Sequence, residues 1–305
     1  MDTPNRGRLS VMTTTSLISS FAIFILTHGR AGNIPTIKSI RKSGYTGKIW
    51  LIIDDEDDQS SEYKKNYDNV YIFCKEDARK ITDTQDTGTS KAAVVFARNY
   101  THKIAKEIGL DYFLVLDDDY RTFRHTCDYD FNYVTKDSNV NNMDNIIEGY
   151  LQFLETSNAL TVCFSQGGDF IGGEGSGFFK SMQKGHISRK AMNSFFMKTD
   201  RPFKFLGRIN EDVNAYVTLG MKGDLMFTVG QVRLEQAQTQ ANSGGLTEIY
   251  LEKGTYVKSF YSVMCAPSCV SLMMMGDVNP RIHHKIKWNN CTPKIISEDL
   301  KKVCT

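Results

Sequence analysis

Three stretches of this sequence repeat one pattern, and that pattern leaves few folds open. FAIFILTHGR (21–30), KIWLIIDDED (48–57) and YFLVLDDDY (112–120) each contain an apolar run that does not alternate and then breaks into polar or acidic residues. A strand with one wet face alternates apolar with polar, whereas an unbroken apolar run is buried on both faces. Helical patterns lie between the runs. IPTIKSIRKSG is a short amphipathic helix ending at Gly44; KAAVVFARNYTHKIAKEIG is longer, apolar at Ala92, Val95, Phe96, Ile104, Ala105 and Ile108, and stopped by Gly109. The alternation predicts an α/β fold in which a mostly parallel sheet is flanked by helices and ligand chemistry gathers at the strands' carboxyl ends. THGR at 27–30, DDED at 54–57 and DDD at 117–119 all fall at such ends.

The second half is less regular. NMDNIIEGYLQFLETS reads as a helix, ALTVCFSQ as a strand, and FLGRINEDVNAYVTLGMKGDLMFT as turn, helix and strand. Six glycines between Gly167 and Gly177 read either as a mobile lid or as a wide hairpin. The tail RIHHKIKWNNCTPKII reads as a segment laid across the domain. With no repeat and no linker, the expectation is a flexible stretch over 1–19 and a single domain over 20–305.

The totals exclude little. The 37 Lys and Arg nearly balance the 35 Asp and Glu, so net charge selects no partner. Seven cysteines (Cys74, Cys127, Cys163, Cys265, Cys269, Cys291 and Cys304) include no CxxC pair and read as reduced thiols. LISSFAIFIL is too short to span a bilayer, so a protein of the cytoplasm with no membrane partner is expected.

Adjacent carboxylates repel, and a divalent cation among them removes that cost. Mg²⁺ or Mn²⁺ takes oxygen ligands and is commonly held by one or two carboxylates plus a substrate's phosphates. Alternate residues of an extended segment share a face, so Asp117 and Asp119 can meet such an ion while Asp118 points elsewhere. The competing reading is a solvated loop or the cap of a helix beginning at Tyr120. Glu211 and Asp212 open a helix, where a carboxylate is favoured by the dipole; the pair is either a cap or a general base for an incoming hydroxyl. His283 and His284 are neighbours that do not share a face, so one of them could complete a metal's shell or touch a diphosphate, beside Arg281, Lys285 and Lys287. A basic surface segment anchored by Trp288 fits the same letters.

Taken together, these motifs resemble a nucleotide-sugar glycosyltransferase of the GT-A fold. More narrowly, GNIPTIKSIRKSGYTGKIWLIIDDED, FARNYTHKIAKEIGLDYFLVLDDDY, GRINEDVNAYVTLG, GGLTEIYLEKGTYVKSFYSVMCAPS and RIHHKIKW resemble the TET-associated glycosyltransferases over roughly residues 20 to 296. Those proteins occur in bacteriophages and are proposed to attach sugars to hydroxymethylated pyrimidines in DNA. The resemblance implies a UDP-sugar donor and Mn²⁺ or Mg²⁺. It also implies a nucleotide-binding half over about 20–120 and an acceptor half over about 121–305. It assigns the nucleotide sugar to Thr27, Arg30, Asp54, Asp55, Arg98, Asp117 and Asp118, and the metal to Asp117, Asp119 and one of His283 and His284. Asp212 would be the base of an inverting reaction, with Glu211 as the substitute, and the host cytoplasm would be the location.

A DNA acceptor needs a path for phosphates. KSMQKGHISRK and KTDRPFKFLGR offer Lys184, Arg189, Lys204 and Arg208, interleaved with Phe195, Phe196, Phe203 and Phe205 for base stacking. A duplex acceptor would present an extruded base, admitted by movement of the glycine-rich stretch or of the segment around Gly244 and Gly245. Other readings of the same letters are a protein acceptor, an already glycosylated base, a two-metal nucleotidyltransferase, and a non-catalytic binding module.

Overall fold

The computed structural model describes residues 15–88, 93–135, 138–236, 256–276 and 280–294. In chain order these form α1 (Thr15–Ser19), β1 (Phe21–Leu26), α2 (Pro35–Lys42), β2 (Ile49–Asp54), α3 (Ser60–Asn66), β3 (Val70–Phe73), α4 (Lys75–Lys80), α5 (Val94–Glu107), β4 (Tyr112–Asp117) and β5 (Tyr120–His125). There follow α6 (Met143–Ser157), β6 (Thr161–Gln166), α7 (Gly177–Gln183), β7 (Ser194–Lys198), α8 (Glu211–Lys222), β8 (Met226–Gln236), α9 (Val257–Cys265), β9 (Val270–Met275) and β10 (Arg281–Ile286).

The continuous apolar runs are the interior strands. All six residues of β1 are buried, and its successive side chains enter two different cores. Ala22, Phe24 and Leu26 pack with Phe113, Val115 and the inner face of α5, whereas Phe21, Ile23 and Ile25 pack with Leu114, Leu116 and the residues of α6. Burial on both sides is why neither face of the strand is polar. The sheet order is β3-β2-β1-β4-β7-β6-β8-β5. β3, β2, β1 and β4 are mutually parallel, as are β6 and β8, while β7 and β5 run the other way. The expected α/β architecture, a central and mostly parallel sheet flanked by helices, is therefore what the chain adopts.

Turn chemistry fixes the ends of the helices. Gly44 follows α2 at φ 88°, where a Cβ would lie 2.3 Å from the carbonyl oxygen of Asn141. Only glycine permits that approach, which seats α2 beside the start of α6. Gly109 and Gly223 have the same left-handed backbone just past α5 and α8.

Three expectations change. The chain at Tyr120 enters a strand, so DDD does not cap a helix there; β5 crosses to the far edge of the sheet and pairs with β8. The glycine-dense stretch is neither a lid loop nor a hairpin. It forms 3₁₀ turns at Gly167–Phe170 and Gly173–Gly175, then α7, whose start is capped by the Ser176 hydroxyl accepting from Phe179 N. The tail is no extended strap: Arg281–Ile286 pairs antiparallel with β9 in a separate two-stranded sheet. Cys74, Cys127, Cys163, Cys265, Cys269 and Cys291 are free thiols. Among the described residues no helix is long and apolar enough to cross a membrane. Residues 1–14, Ala92, Gly244, Gly245 and Cys304 lie outside the described residues.

Candidate active site

Parallel pairing brings the three polar strand ends together. Leu26 of β1 is in register with Ile52 of β2 and with Asp117 of β4, so Thr27, Asp54 and the aspartate triplet leave one edge of the sheet side by side. Thr27 Oγ1 donates to Asp118 Oδ2 at 2.7 Å, and the Arg30 guanidinium pairs with the other oxygen of Asp118. The Tyr63 hydroxyl lies 3.2 Å from Thr27 Oγ1 and accepts from Arg30 N at 2.8 Å. Asp118 is thus turned inward, 7% exposed, and burial raises its carboxyl above the usual range despite Thr27 and Arg30.

Asp54 closes the neighbouring strand end. Its carboxylate meets His28 Nδ1 at 2.9 Å and Lys75 Nζ at 3.2 Å, and accepts from Glu56 N at 3.1 Å. Asp57 accepts from Gly29 N at 2.8 Å, tying THGR to DDED. Asp55 is exposed and accepts from Lys75 N at 2.9 Å. Of the residues expected to face a nucleotide, Arg30 and Asp55 are open to solvent, whereas Asp54 and Thr27 hold the loops in place.

Arg98, expected beside the nucleotide sugar, is buried between the two acidic motifs. It is 3% exposed, stacked on Phe195 and Phe205, and lies between two acidic groups. One amino group donates to both oxygens of Asp117 at 3.1 Å, and the other pairs with Glu211 Oε1. The Tyr120 hydroxyl lies 3.2 Å from Asp117 Oδ2 and also contacts the backbone oxygen of Asn193, with one proton to share between them.

Two carboxylates are left over. Asp119 has no ion pair among the described residues; burial and the charges of Asp117 and Asp118 push its carboxyl up to about 6, against a hydrogen bond from its own backbone N–H. Asp212 accepts from Val213 N at 2.7 Å, with no ion-pair partner among the described residues, and burial raises its carboxyl too. Burial likewise raises Glu211, while Arg98 pulls it back.

The histidines reach the start of α8 through Asn210. This residue precedes α8 with a left-handed backbone, and its side-chain amide bonds Lys258 O at 2.9 Å, Ser262 Oγ at 3.1 Å and His284 Nδ1 at 3.4 Å. Burial, His283, Lys258 and Lys190 push His284 down to about 4, so it stays neutral and a ring nitrogen can act as a ligand. His283 Nδ1 is 2.8 Å from the His284 backbone oxygen. Among the described residues, however, no group of three or more His, Cys, Asp and Glu side chains is gathered for a metal. Asp117, Asp119 and one of His283 and His284, the expected set, are not gathered as such a group. What does fit a divalent cation is the Asp117 and Asp119 end, where an unpaired, part-buried carboxylate faces two like charges and phosphate oxygens would complete the shell.

The basic stretches divide. Lys184 and Lys204 are exposed. Arg189 donates to the backbone oxygens of Cys291 at 3.2 Å and Trp288 at 3.2 Å, clamping the 3₁₀ turn Trp288–Asn290. Arg208 is a correction: it is 3% exposed, with its guanidinium on Asp86 and Gly88 O, and offers no free face to a phosphate. Phe195, Phe196, Phe203 and Phe205 are all core residues, unavailable for stacking on bases. Sequence reasoning missed Tyr63, Lys75, Tyr120 and Asn210, and read Lys190 only as part of a basic stretch. Tyr120 and Asn210 stood beside motifs; Tyr63 and Lys75 are brought in by the fold.

A sequence model of the family described as TET-associated glycosyltransferase matches residues 21–245. A search of curated proteins found no match. Among solved structures, Mycobacterium tuberculosis glucosyl-3-phosphoglycerate synthase with Mg²⁺ and UDP is similar at 10% identity and TM-score 0.45, over 90% of this chain and 92% of that chain. The same synthase with Mn²⁺ and UDP-glucose gives 10% identity and TM-score 0.44, over 93% and 92%. S. aureus TarS 1-349 gives 12% and 0.38, over 70% and 60%.

Proposed function

The chain belongs to the TET-associated glycosyltransferase family, and from that premise we propose that it moves a sugar from a UDP-sugar to the hydroxymethyl group of 5-hydroxymethylcytosine in bacteriophage DNA, with inversion. One observation carries the reading: the aspartates at the end of β4 and the Glu211–Asp212 pair at the start of α8 meet on either side of Arg98. A donor site and an acceptor base need that adjacency, because attack on the anomeric carbon joins the two in one step.

Asp117 and Asp119 would hold Mn²⁺ or Mg²⁺, which when bound offsets charge on the departing diphosphate. Arg30 and the exposed Asp55 lie on the donor side, with Thr27, Asp54 and Asp118 shaping the walls. Asp212 takes the proton of the acceptor hydroxyl. Burial raises its pKa, and the ionised carboxylate is then a stronger base than an ordinary aspartate. Lys190 acts electrostatically on Asp212, Lys258 and Arg281 bear on the neighbouring histidines, and an anionic substrate suits that surrounding. Lys184 and Lys204 are the remaining candidates for phosphate contact.

The test is incubation with Mn²⁺ and a panel of UDP-sugars, offering DNA with or without 5-hydroxymethylcytosine and a protein acceptor. Mass spectrometry of the nucleosides should show a hexose or pentose added to the modified base. UDP release that requires only the protein acceptor would replace DNA as the substrate. No UDP release with any acceptor would sink the reading.

A further inference from the structure

The two acidic clusters are sorted in the same way by one side chain. In DDD, Asp117 gives both carboxylate oxygens to Arg98; at α8, Glu211 is engaged by Arg98; among the described residues Asp119 and Asp212 are left without an ion pair. We propose that Arg98 is a positioning residue for the transfer reaction. It fixes Asp117 against Glu211 and so sets the span between the carboxylate that faces the donor, Asp119, and the one that faces the acceptor, Asp212. The proposal rests on the glycosyltransferase reading.

The geometry suits a rigid spacer. A guanidinium is planar, stays charged, and presents donors in a fixed fork, so it holds two carboxylates at a defined separation as an ammonium cannot. Here it is immobilised as well, with Phe195 and Phe205 rings 5.1 and 5.8 Å from its carbon and Tyr120 holding Asp117 from the other side. The two ends belong to different parts of the sheet's edge: Asp117 ends β4, and Glu211 lies 94 residues later at the start of α8. Stability alone explains the arrangement poorly. Buried ion pairs add little over well-packed apolar residues, and Arg98 Nε is buried with no hydrogen-bond partner. Nor is Arg98 placed to touch a nucleotide, being 3% exposed.

The decisive variant is R98M/E211Q, which removes the guanidinium together with the buried charge it neutralises at Glu211. Thermal melting, UDP affinity with Mn²⁺ by calorimetry, and steady-state transfer would be measured against wild type. The expected result is cooperative melting and UDP affinity within about threefold of wild type, with kcat down at least about tenfold at saturating donor. If R98M/E211Q does not melt cooperatively, R98K decides, with kcat lowered at least about fivefold at unchanged UDP affinity. Wild-type kcat in whichever variant decides overturns the proposal. So does a large loss of UDP affinity with kcat intact, which would make Arg98 a donor-binding residue. A wild-type chain that neither binds UDP nor transfers sugar overturns the glycosyltransferase reading and this one with it; an active wild type with an equally active variant overturns this one alone.

Discussion

The hydroxyl of Thr27 donates to Asp118 Oδ2 at 2.7 Å across 91 residues of sequence, so the middle aspartate of DDD belongs to the wall of the site. Parallel β1 and β4 put the two residues side by side one step past the Leu26 and Asp117 register pair. A triplet of identical letters therefore holds three different carboxylates: Asp118 locked to Thr27 and Arg30, Asp117 locked to Arg98, and Asp119 without an ion pair among the described residues.

Asp119→Asn should weaken the response to divalent cation and remove most of the activity, lowering kcat by about 10²–10³ as for the loss of one strong electrostatic stabiliser. Mn²⁺ titration of the transfer rate checks this. Activity unchanged by the substitution would refute the metal role of the triplet.

Asp212→Asn should reduce kcat by about 10²–10⁴ with donor KM little changed, the scale of removing a general base. Glu211→Gln should cost less, because its partner is Arg98 rather than the acceptor. The reverse ranking would move the base to Glu211. NMR of the product's anomeric proton should show inversion, and retention would leave Asp212 without its proposed role.

Removing Arg208 from its pair with Asp86 should destabilise the fold by about 1–3 kcal/mol, since the carboxylate left behind is part-buried. Asp86 also accepts from the Tyr261 hydroxyl at 2.6 Å, so the pair pins α9. Thermal melting of Arg208→Met measures this. DNA affinity and its salt dependence should instead respond to Lys184→Glu and Lys204→Glu, which change exposed charges.

His102 should make stability fall in mild acid. Both ring nitrogens are buried without hydrogen-bond partners, and burial, with Lys204 adding to it, pushes the pKa from 6.5 down to about 4. Below the unfolded pKa the unfolded chain binds a proton that the folded chain refuses. The stability present above pH 6.5 is therefore lost progressively as pH falls towards 4, in total on the order of a few kcal/mol. His102→Phe retains an aromatic ring between Phe113 and Phe203 and removes the titration, so its melting temperature should drop less between pH 7 and pH 5. An equal drop in both proteins would show that another group carries the acid sensitivity.

The fold was legible because its signals are local. An unbroken apolar hexamer has only one comfortable place in a soluble α/β protein, and glycine past a periodic stretch stops a helix wherever it occurs. The strand ends were legible for the same reason, since a chain leaving a buried strand must become polar where it meets water. Less could be read where the outcome depends on a distant partner. YRTFRH has no continuous apolar character, and its place at the far edge is set by β8, more than 100 residues on. The arginines of the basic stretches looked alike as letters, yet Arg208 is buried on Asp86 and Arg189 clamps a backbone turn, while Lys184 is exposed.

The sequence by itself determined which residue types would meet at the sheet's carboxyl edge: aspartates from two strands, a threonine and an arginine from a third. Only the tertiary structure decided which of them remain available. Charge is neutralised by whatever comes within a few ångströms, and that distance is set by packing, not by spacing along the chain. Arg98, assigned to the nucleotide sugar by the family resemblance, is through the packing of α5 the cation that pairs with Asp117 and Glu211. The same packing leaves Asp119 and Asp212 without an ion pair among the described residues.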